Sequence, residues 1–93
     1  MPIVGRGNKG APVVTTLAST SWTLLAADNA DRTAVMFQNQ GTVNIRLSVN
    51  SAAGSSFGVI VGSGKDLTDV ISRDAWYGRC ESSTCDVLTQ VIY

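Results

Sequence analysis

Residues 43–50, VNIRLSVN, alternate strictly between apolar and polar side chains. The apolar positions are Val43, Ile45, Leu47 and Val49. Because successive side chains of a β-strand point to opposite faces of its sheet, the alternation predicts a strand with one buried and one exposed face. It is the clearest two-residue period in the chain, and it favours a β-rich fold.

Turn signals recur along the rest of the chain at intervals of about 8–12 residues. Between them lie strand-like runs at 12–18, 21–27, 33–39, 57–61, 66–72, 75–81 and 86–93, the last two resembling a closing hairpin. No amphipathic helix longer than a turn or two, no heptad pattern and no internal repeat is visible. The sequence therefore predicts one all-β domain at residues 12–93, a small antiparallel β-sandwich or barrel-like fold of about 7–8 short strands.

Residues 1–11, MPIVGRGNKGA, hold three of the nine glycines and one of the two prolines. This composition predicts a flexible N-terminal arm. Arg6 and Lys9 give the arm a local excess of positive charge, since no acidic residue occurs before Asp28. We expect these two cations to anchor the arm on a partner, and a solvated tail is the alternative that the sequence leaves open.

Two segments that precede the alternating strand predict a turn and a further strand. The polar segment DNADR (28–32) predicts an exposed turn in which Asp28 caps backbone N–H groups. The segment TAVMFQN (33–39) is a nearly continuous apolar run of strand length. Such a run predicts a strand that is covered on both faces.

The side chains on which most enzyme chemistry depends are missing or isolated. The chain has no histidine, which excludes Ser-His-Asp and Cys-His arrangements, and its two cysteines cannot supply a four-ligand zinc site. GRGNKG (5–10) has the glycine spacing of a dinucleotide loop without the strand and helix that must flank it. GSGKD (62–66) lacks residues that a phosphate-binding loop requires. We expect no catalytic residue, no metal, no cofactor and no enzymatic activity.

Charge and hydropathy narrow the classes of partner. Seven basic residues balance seven acidic ones, so no basic patch points to nucleic acid. No run approaches the roughly 18 apolar residues of a membrane helix, and no signal peptide is visible, so we expect no membrane and synthesis in the cytoplasm. Charged residues make up 15% of the chain, against a usual share of about 25%, which indicates a surface partly covered by another chain.

Cys80 and Cys85 flank the segment ESST, which reads as the tip of a hairpin. Across such a tip the two cysteines could lie near each other, and a disulfide between them would have to meet demanding geometry. The absence of a secretion signal favours reduced thiols at synthesis, whereas oxidation after release from a cell leaves the disulfide open.

Trp76 and Tyr77 are neighbours in a predicted strand. Adjacent strand residues point to opposite faces, so one ring faces outward, toward solvent or a partner. A ligand-binding role for that ring stands beside the more ordinary role of aromatic residues, which is packing in a core or interface.

The segment LLAADNADRTAVMFQNQGTVNIRL (24–47) resembles a pattern that recurs in small β-sandwich virion proteins of tailed bacteriophages. Those proteins carry Leu-x-Ala-Ala, a polar turn ending in Arg, an apolar strand ending in Gln-Asn, a Gly-Thr turn and an alternating strand. The matching pieces are 25–27, 28–32, 34–39, 41–42 and 43–47, within a resemblance that extends from Trp22 to Tyr93.

The resemblance implies a non-enzymatic bacteriophage structural protein that decorates or cements the capsid by binding between major capsid protein subunits. It places the protein on the capsid surface of the virion, after synthesis in the host cytoplasm. It also implies a homo-oligomer, most simply a trimer, since a closed ring of three matches the three-fold positions of a capsid. The alternative is a tail- or fibre-associated binding module that contacts a glycan or receptor through Trp76 or Tyr77.

Overall fold

A computed structural model describes residues 10–50, 58–70 and 73–93. This part of the chain contains eight strands and no helix. The strands are β1 (Val13–Ala18), β2 (Thr23–Ala26), β3 (Ala34–Asn39), β4 (Ile45–Ser48), β5 (Val59–Val61), β6 (Asp66–Asp69), β7 (Trp76–Cys80) and β8 (Thr84–Ile92). The predicted all-β class and number of strands are confirmed. Residues 57 and 71–72, which the sequence assigns to strands, lie outside the described ranges.

The strands form two four-stranded antiparallel layers. Sheet A has the order β1-β8-β3-β6, and sheet B has the order β2-β7-β4-β5. Among the described strands, only β4 and β5 are neighbours both in the chain and in a sheet. The chain therefore passes from one layer to the other at nearly every turn, and each sheet is built from strands that are distant in sequence.

The predicted closing hairpin is wrong. β7 pairs with β2 and β4 in sheet B, whereas β8 pairs with β1 and β3 in sheet A. The short turn between β7 and β8 connects the two layers, and Ser83 adopts a positive φ of 57° within it. The alternation of both strands and the turn residues between them are compatible with a hairpin. The local sequence therefore does not show whether β7 and β8 pair with each other in one sheet or belong to different sheets.

The core lies between the two sheets and is formed by inward side chains of both. Its buried members are Leu17, Ala26, Val35, Phe37, Ile45, Leu47, Val61, Trp76, Cys80, Cys85 and Val87. The alternation predicted for β4 is confirmed, since Ile45 and Leu47 are fully buried while Arg46 and Ser48 are half-buried. The strand ends at Ser48, so Val49 lies beyond it and is exposed.

β3 is not covered on both faces, which corrects the expectation drawn from its apolar run. Val35 and Phe37 are buried, whereas Ala34 and Met36 on the opposite face are half-buried. In a sandwich of two layers each sheet has one neighbouring layer, so the outer face of β3 has no sheet above it.

The turn before β3 is capped by Asn29 rather than by the predicted Asp28. The Asn29 side-chain oxygen accepts the backbone N–H of Asp31 at 2.9 Å. Asn and Asp side chains both form this kind of turn, so the type of residue was predictable and its position was not. The Asn29 backbone N–H also donates to the Arg73 carbonyl oxygen at 3.0 Å, which joins this turn to the segment before β7.

Arg32 is buried, which corrects the expectation of a fully exposed turn at residues 28–32. Its side chain is 1% exposed. Nη1 donates to the carbonyl oxygen of Ala27 at 3.0 Å, and Nη2 donates to the carbonyl oxygen of Asp74 at 2.6 Å. The guanidinium therefore fastens the end of β2 to the start of β7 directly before β3 begins.

Asn39, at the other end of β3, also joins separate segments of the chain through hydrogen bonds to backbone carbonyls. It is 1% exposed, and its Nδ2 donates to the carbonyl oxygens of Val43 at 2.8 Å and Val61 at 3.0 Å. Its Oδ1 accepts the N–H of Gly41 at 2.9 Å. One side chain thus connects β3 in sheet A with the turn into β4 and with the end of β5 in sheet B.

A disulfide between Cys80 and Cys85 connects the two sheets. Cys80 ends β7 and Cys85 lies in β8, and both side chains are buried in the core. Gly41 packs directly against this disulfide, because a Cβ atom at Gly41 would stand 2.7 Å from the Cβ of Cys85. The disulfide therefore links the two sheets beside the turn between β7 and β8, and the turn after β3 packs against it.

Replacing Asn39 by alanine is expected to lower the free energy of unfolding by about 3 kcal/mol, because two buried carbonyls and one N–H lose their partner. Urea unfolding followed by circular dichroism measures the loss. Asn44→Ala is the matched control, since Asn44 lies in the same turn with an exposed side chain. Equal stability of the two variants would contradict the role of Asn39.

Removing the disulfide through Cys80→Ala with Cys85→Ala is expected to cost about 2 kcal/mol, the loop-closure value for a short crossing. A reductant should lower the stability of the wild-type chain and leave the double variant unchanged. Urea unfolding with and without reductant measures both effects. A wild-type chain that is insensitive to reductant would contradict a stabilising disulfide.

Candidate interaction surface

The described residues contain no cluster of three or more His, Cys, Asp or Glu side chains placed to hold a metal ion. Both cysteines are engaged in the disulfide between the sheets. Over the same ranges, no helix has the length and hydropathy needed to cross a membrane.

Trp76 and Tyr77 point to opposite faces of sheet B, as the sequence predicts. Trp76 faces inward, with its ring centroid 5.5 Å from that of Phe37, and its Nε1 donates to the Asp69 carboxylate at 3.3 Å. Tyr77 is half-buried on the outer face. Of the two aromatic candidates, Tyr77 is the one that a partner could contact.

Arg6 and Lys9 lie outside the described residues. The described chain starts at Gly10, whose N–H donates to the carbonyl oxygen of Val91 at 2.8 Å. The Gln90 side chain donates back to the carbonyl oxygen of Gly10 at 3.3 Å. The arm therefore joins the sandwich beside the end of β8, at the edge of sheet A.

We call the outer surface of sheet B face B. It is formed by Trp22, Leu24, Arg46, Ile60, Tyr77 and Arg79. The strand register places Leu24 opposite Tyr77, and it places Arg46 between Ile60 and Arg79. Leu24 and Ile60 are each 51% exposed, so face B presents apolar and aromatic groups together with two cations.

Arg46 and Arg79 are direct cross-strand partners on the central strands of face B. The Arg46 guanidinium lies 2.9 Å from the Glu81 carboxylate, and Arg79 Nε donates to the carbonyl oxygen of Ser19 at 2.9 Å. Like charges placed directly opposite each other in a sheet are destabilising. The carboxylate of Glu81 balances only one of the two guanidinium groups, so face B retains a positive charge.

Trp22 lies across face B next to Gly58 and Arg46. A Cβ atom at Gly58 would stand 3.2 Å from Cη2 of Trp22 and 2.8 Å from the carbonyl oxygen of Leu47. Gly58 also has a positive φ of 100°, which favours glycine. The glycine thus leaves room for the indole ring. Sequence reasoning missed both Trp22 and Arg79. Arg79 lies two residues after Tyr77 in β7, so strand alternation could have placed it on the same face, whereas only the folded structure brings Trp22 to this surface.

We call the outer surface of sheet A face A. It is formed by Val14, Met36, Asp66, Asp86 and Leu88. The register places Val14 opposite Leu88 and pairs Gln38 with both Leu88 and Asp66. The Asp86 carboxylate accepts the hydroxyl of Thr16 at 2.7 Å. Within the described ranges, no Lys or Arg nitrogen lies within salt-bridge distance of Asp66 or Asp86, so face A is negatively charged.

No protein-family model matches the chain, and no curated protein matches it. A solved structure that is similar to it is the crystal structure of an HTH_3 family transcriptional regulator from Vibrio cholerae. The two share a TM-score of 0.61 over 88% of this chain at 7% sequence identity. This chain spans 42% of the length of that regulator. At such low identity the likeness shows a shared fold alone.

Alanine substitutions of Trp76 and Tyr77 are expected to lower the free energy of unfolding by different amounts. Trp76→Ala is expected to cost about 3–5 kcal/mol of unfolding free energy, because it opens a cavity beside Phe37. Tyr77→Ala is expected to cost about 1 kcal/mol or less, because its side chain lies on the outer face. Urea unfolding of both variants measures the difference, and equal losses would contradict the opposite orientations.

Proposed function

We propose that the chain is a non-enzymatic bacteriophage structural protein that decorates or cements the capsid by binding between major capsid protein subunits. The observation that carries this proposal is what residues 24–47 do in the fold, since the resemblance to phage virion proteins is strongest there. In the resembling pattern Arg32 ends the polar turn and Asn39 ends the apolar strand. Both side chains are buried, and both donate hydrogen bonds to backbone carbonyl oxygens near the two ends of β3. The segment builds a scaffold, which leaves contact with partners to the faces and the arm.

A cement protein needs many modest contacts rather than one strong site. Linked binding sites raise the effective concentration of each further contact, so a homo-oligomer that bridges several capsid subunits binds far better than one copy. A trimer is the simplest closed ring for a three-fold position of a capsid. In this proposal the protein is made in the host cytoplasm and resides on the capsid surface of the virion.

The arm has the reach to contact a neighbouring subunit. Nine residues in an extended conformation span about 30 Å, which is close to the diameter of a small domain. Arg6 and Lys9 are the charges that such an arm would offer to an acidic surface. The hydrogen bond from Gly10 to Val91 marks the place where the arm leaves the sandwich.

Deleting residues 1–9 tests this proposal without disturbing the described contact of Gly10 with Val91. We expect unchanged unfolding and a loss of about tenfold or more in affinity for capsids that lack the protein. A full-length chain with Arg6→Gln and Lys9→Gln is the matched control for charge alone. Sedimentation of capsids with bound chain measures occupancy. Equal occupancy by the truncated chain would show that the arm does not contribute to capsid binding. Failure of the full chain to bind capsids would overturn the proposal.

The second candidate is a tail- or fibre-associated module that binds a glycan or receptor. The observation that favours it is the presence of two aromatic side chains, Trp22 and Tyr77, on face B. Aromatic rings on a sheet surface offer flat apolar area to a sugar ring. A glycan array tests this candidate. Hits that vanish in Tyr77→Ala would support it, and an array without hits would remove it.

A further inference from the structure

We propose that copies of this chain associate through unlike faces, with face B of one copy seated on face A of the next. This inference concerns the isolated chain and does not depend on the proposed capsid function. The occupant of each face is a second copy of the same chain, because each face carries the charge that the other lacks.

The charges of the two faces are complementary. Face B holds Arg46 and Arg79 side by side, and the Glu81 carboxylate forms an ion pair with Arg46. Face A holds Asp66 and Asp86, and neither has a cationic partner among the described residues. Bringing a carboxylate of face A to Arg79 would relieve the repulsion between the two arginines. Pairing of like faces would instead oppose charges of the same sign, which is unfavourable.

The charged groups also lie at the same end of the sandwich. Arg79 immediately precedes Cys80, and Asp86 immediately follows Cys85, so the disulfide fixes their relative positions on the two faces. Asp66 begins β6 beside the Asn39 end of β3. Stacked copies can therefore share one orientation while arginines of one copy meet aspartates of the next.

Apolar groups accompany the charges on both faces. Face B exposes Leu24 and Ile60, and face A exposes Val14, which is 57% exposed, beside the half-buried Leu88. Protein interfaces combine an apolar centre with a polar rim, and aromatic residues and arginine are enriched in them. Trp22, Tyr77 and the two arginines give face B this composition.

A contact between unlike faces does not end at a dimer. The two faces lie on opposite sides of the sandwich, so each outer copy of a stack keeps one face available. Such heterologous contacts continue into an open stack unless the rotation between copies closes a ring. We therefore expect the mean mass to rise with concentration beyond that of two chains.

Charge reversal tests the inference on the purified full chain. Arg79→Glu and Asp66→Lys should each weaken association by about tenfold or more, because each places like charges across the contact. The double variant, which carries both changes in one chain, should associate again. Asp28→Lys reverses a charge in the exposed turn away from both faces and should associate as the wild type does. Unfolding curves verify that each variant folds.

Analytical ultracentrifugation over a range of concentrations measures these outcomes. The wild-type association should also weaken when salt is raised to about 0.5 M, since exposed ion pairs are screened. A wild-type chain that stays monomeric, a single reversal that leaves association unchanged, or a double variant that fails to recover would each overturn the inference. Because no capsid is present, these outcomes are independent of the proposed virion role.

Discussion

The fold depends on β3 being held at both ends by buried polar side chains. Arg32 before the strand donates to backbone carbonyls of two loops that run between the sheets. Asn39 at its end donates to a carbonyl of the turn into β4 and to one at the end of β5. A buried donor without a partner is costly, so these loops have to adopt the conformation that presents the carbonyls. The relation between the two layers is thereby set by polar bonds at the ends of the sandwich as well as by the apolar core between them.

The parts of this fold that the sequence predicts are those that depend on a local period. The alternation around Ile45 and the opposite orientations of Trp76 and Tyr77 follow from the geometry of a single strand. The pairing of β7 and β8 does not, since two consecutive strands can be neighbours in one sheet or members of different sheets. Arg32 was misjudged for a related reason, because the carbonyl of Asp74 that accepts its hydrogen bond is far away in the sequence.

The candidate surface was less predictable than the fold. Tyr77 and Arg79 are two residues apart in β7, so the alternation of that one strand could have placed both on the same face. Leu24 and Arg46 join them only through the pairing of β2 and β4 with β7. The segregation of charge is invisible in a net charge of zero. It becomes apparent once each acidic or basic side chain has been assigned to the outer surface of a particular sheet.

The position of the last two strands has a consequence for the biosynthesis of the chain. β7 is an inner strand of sheet B, between β2 and β4, and β8 is an inner strand of sheet A, between β1 and β3. During translation neither sheet can close before its final central strand has left the ribosome, so the earlier strands must wait with unpaired edges. Such long-range pairing slows folding and exposes a nascent chain to aggregation. This sandwich is therefore a fold that a cell can complete only after synthesis has passed β8.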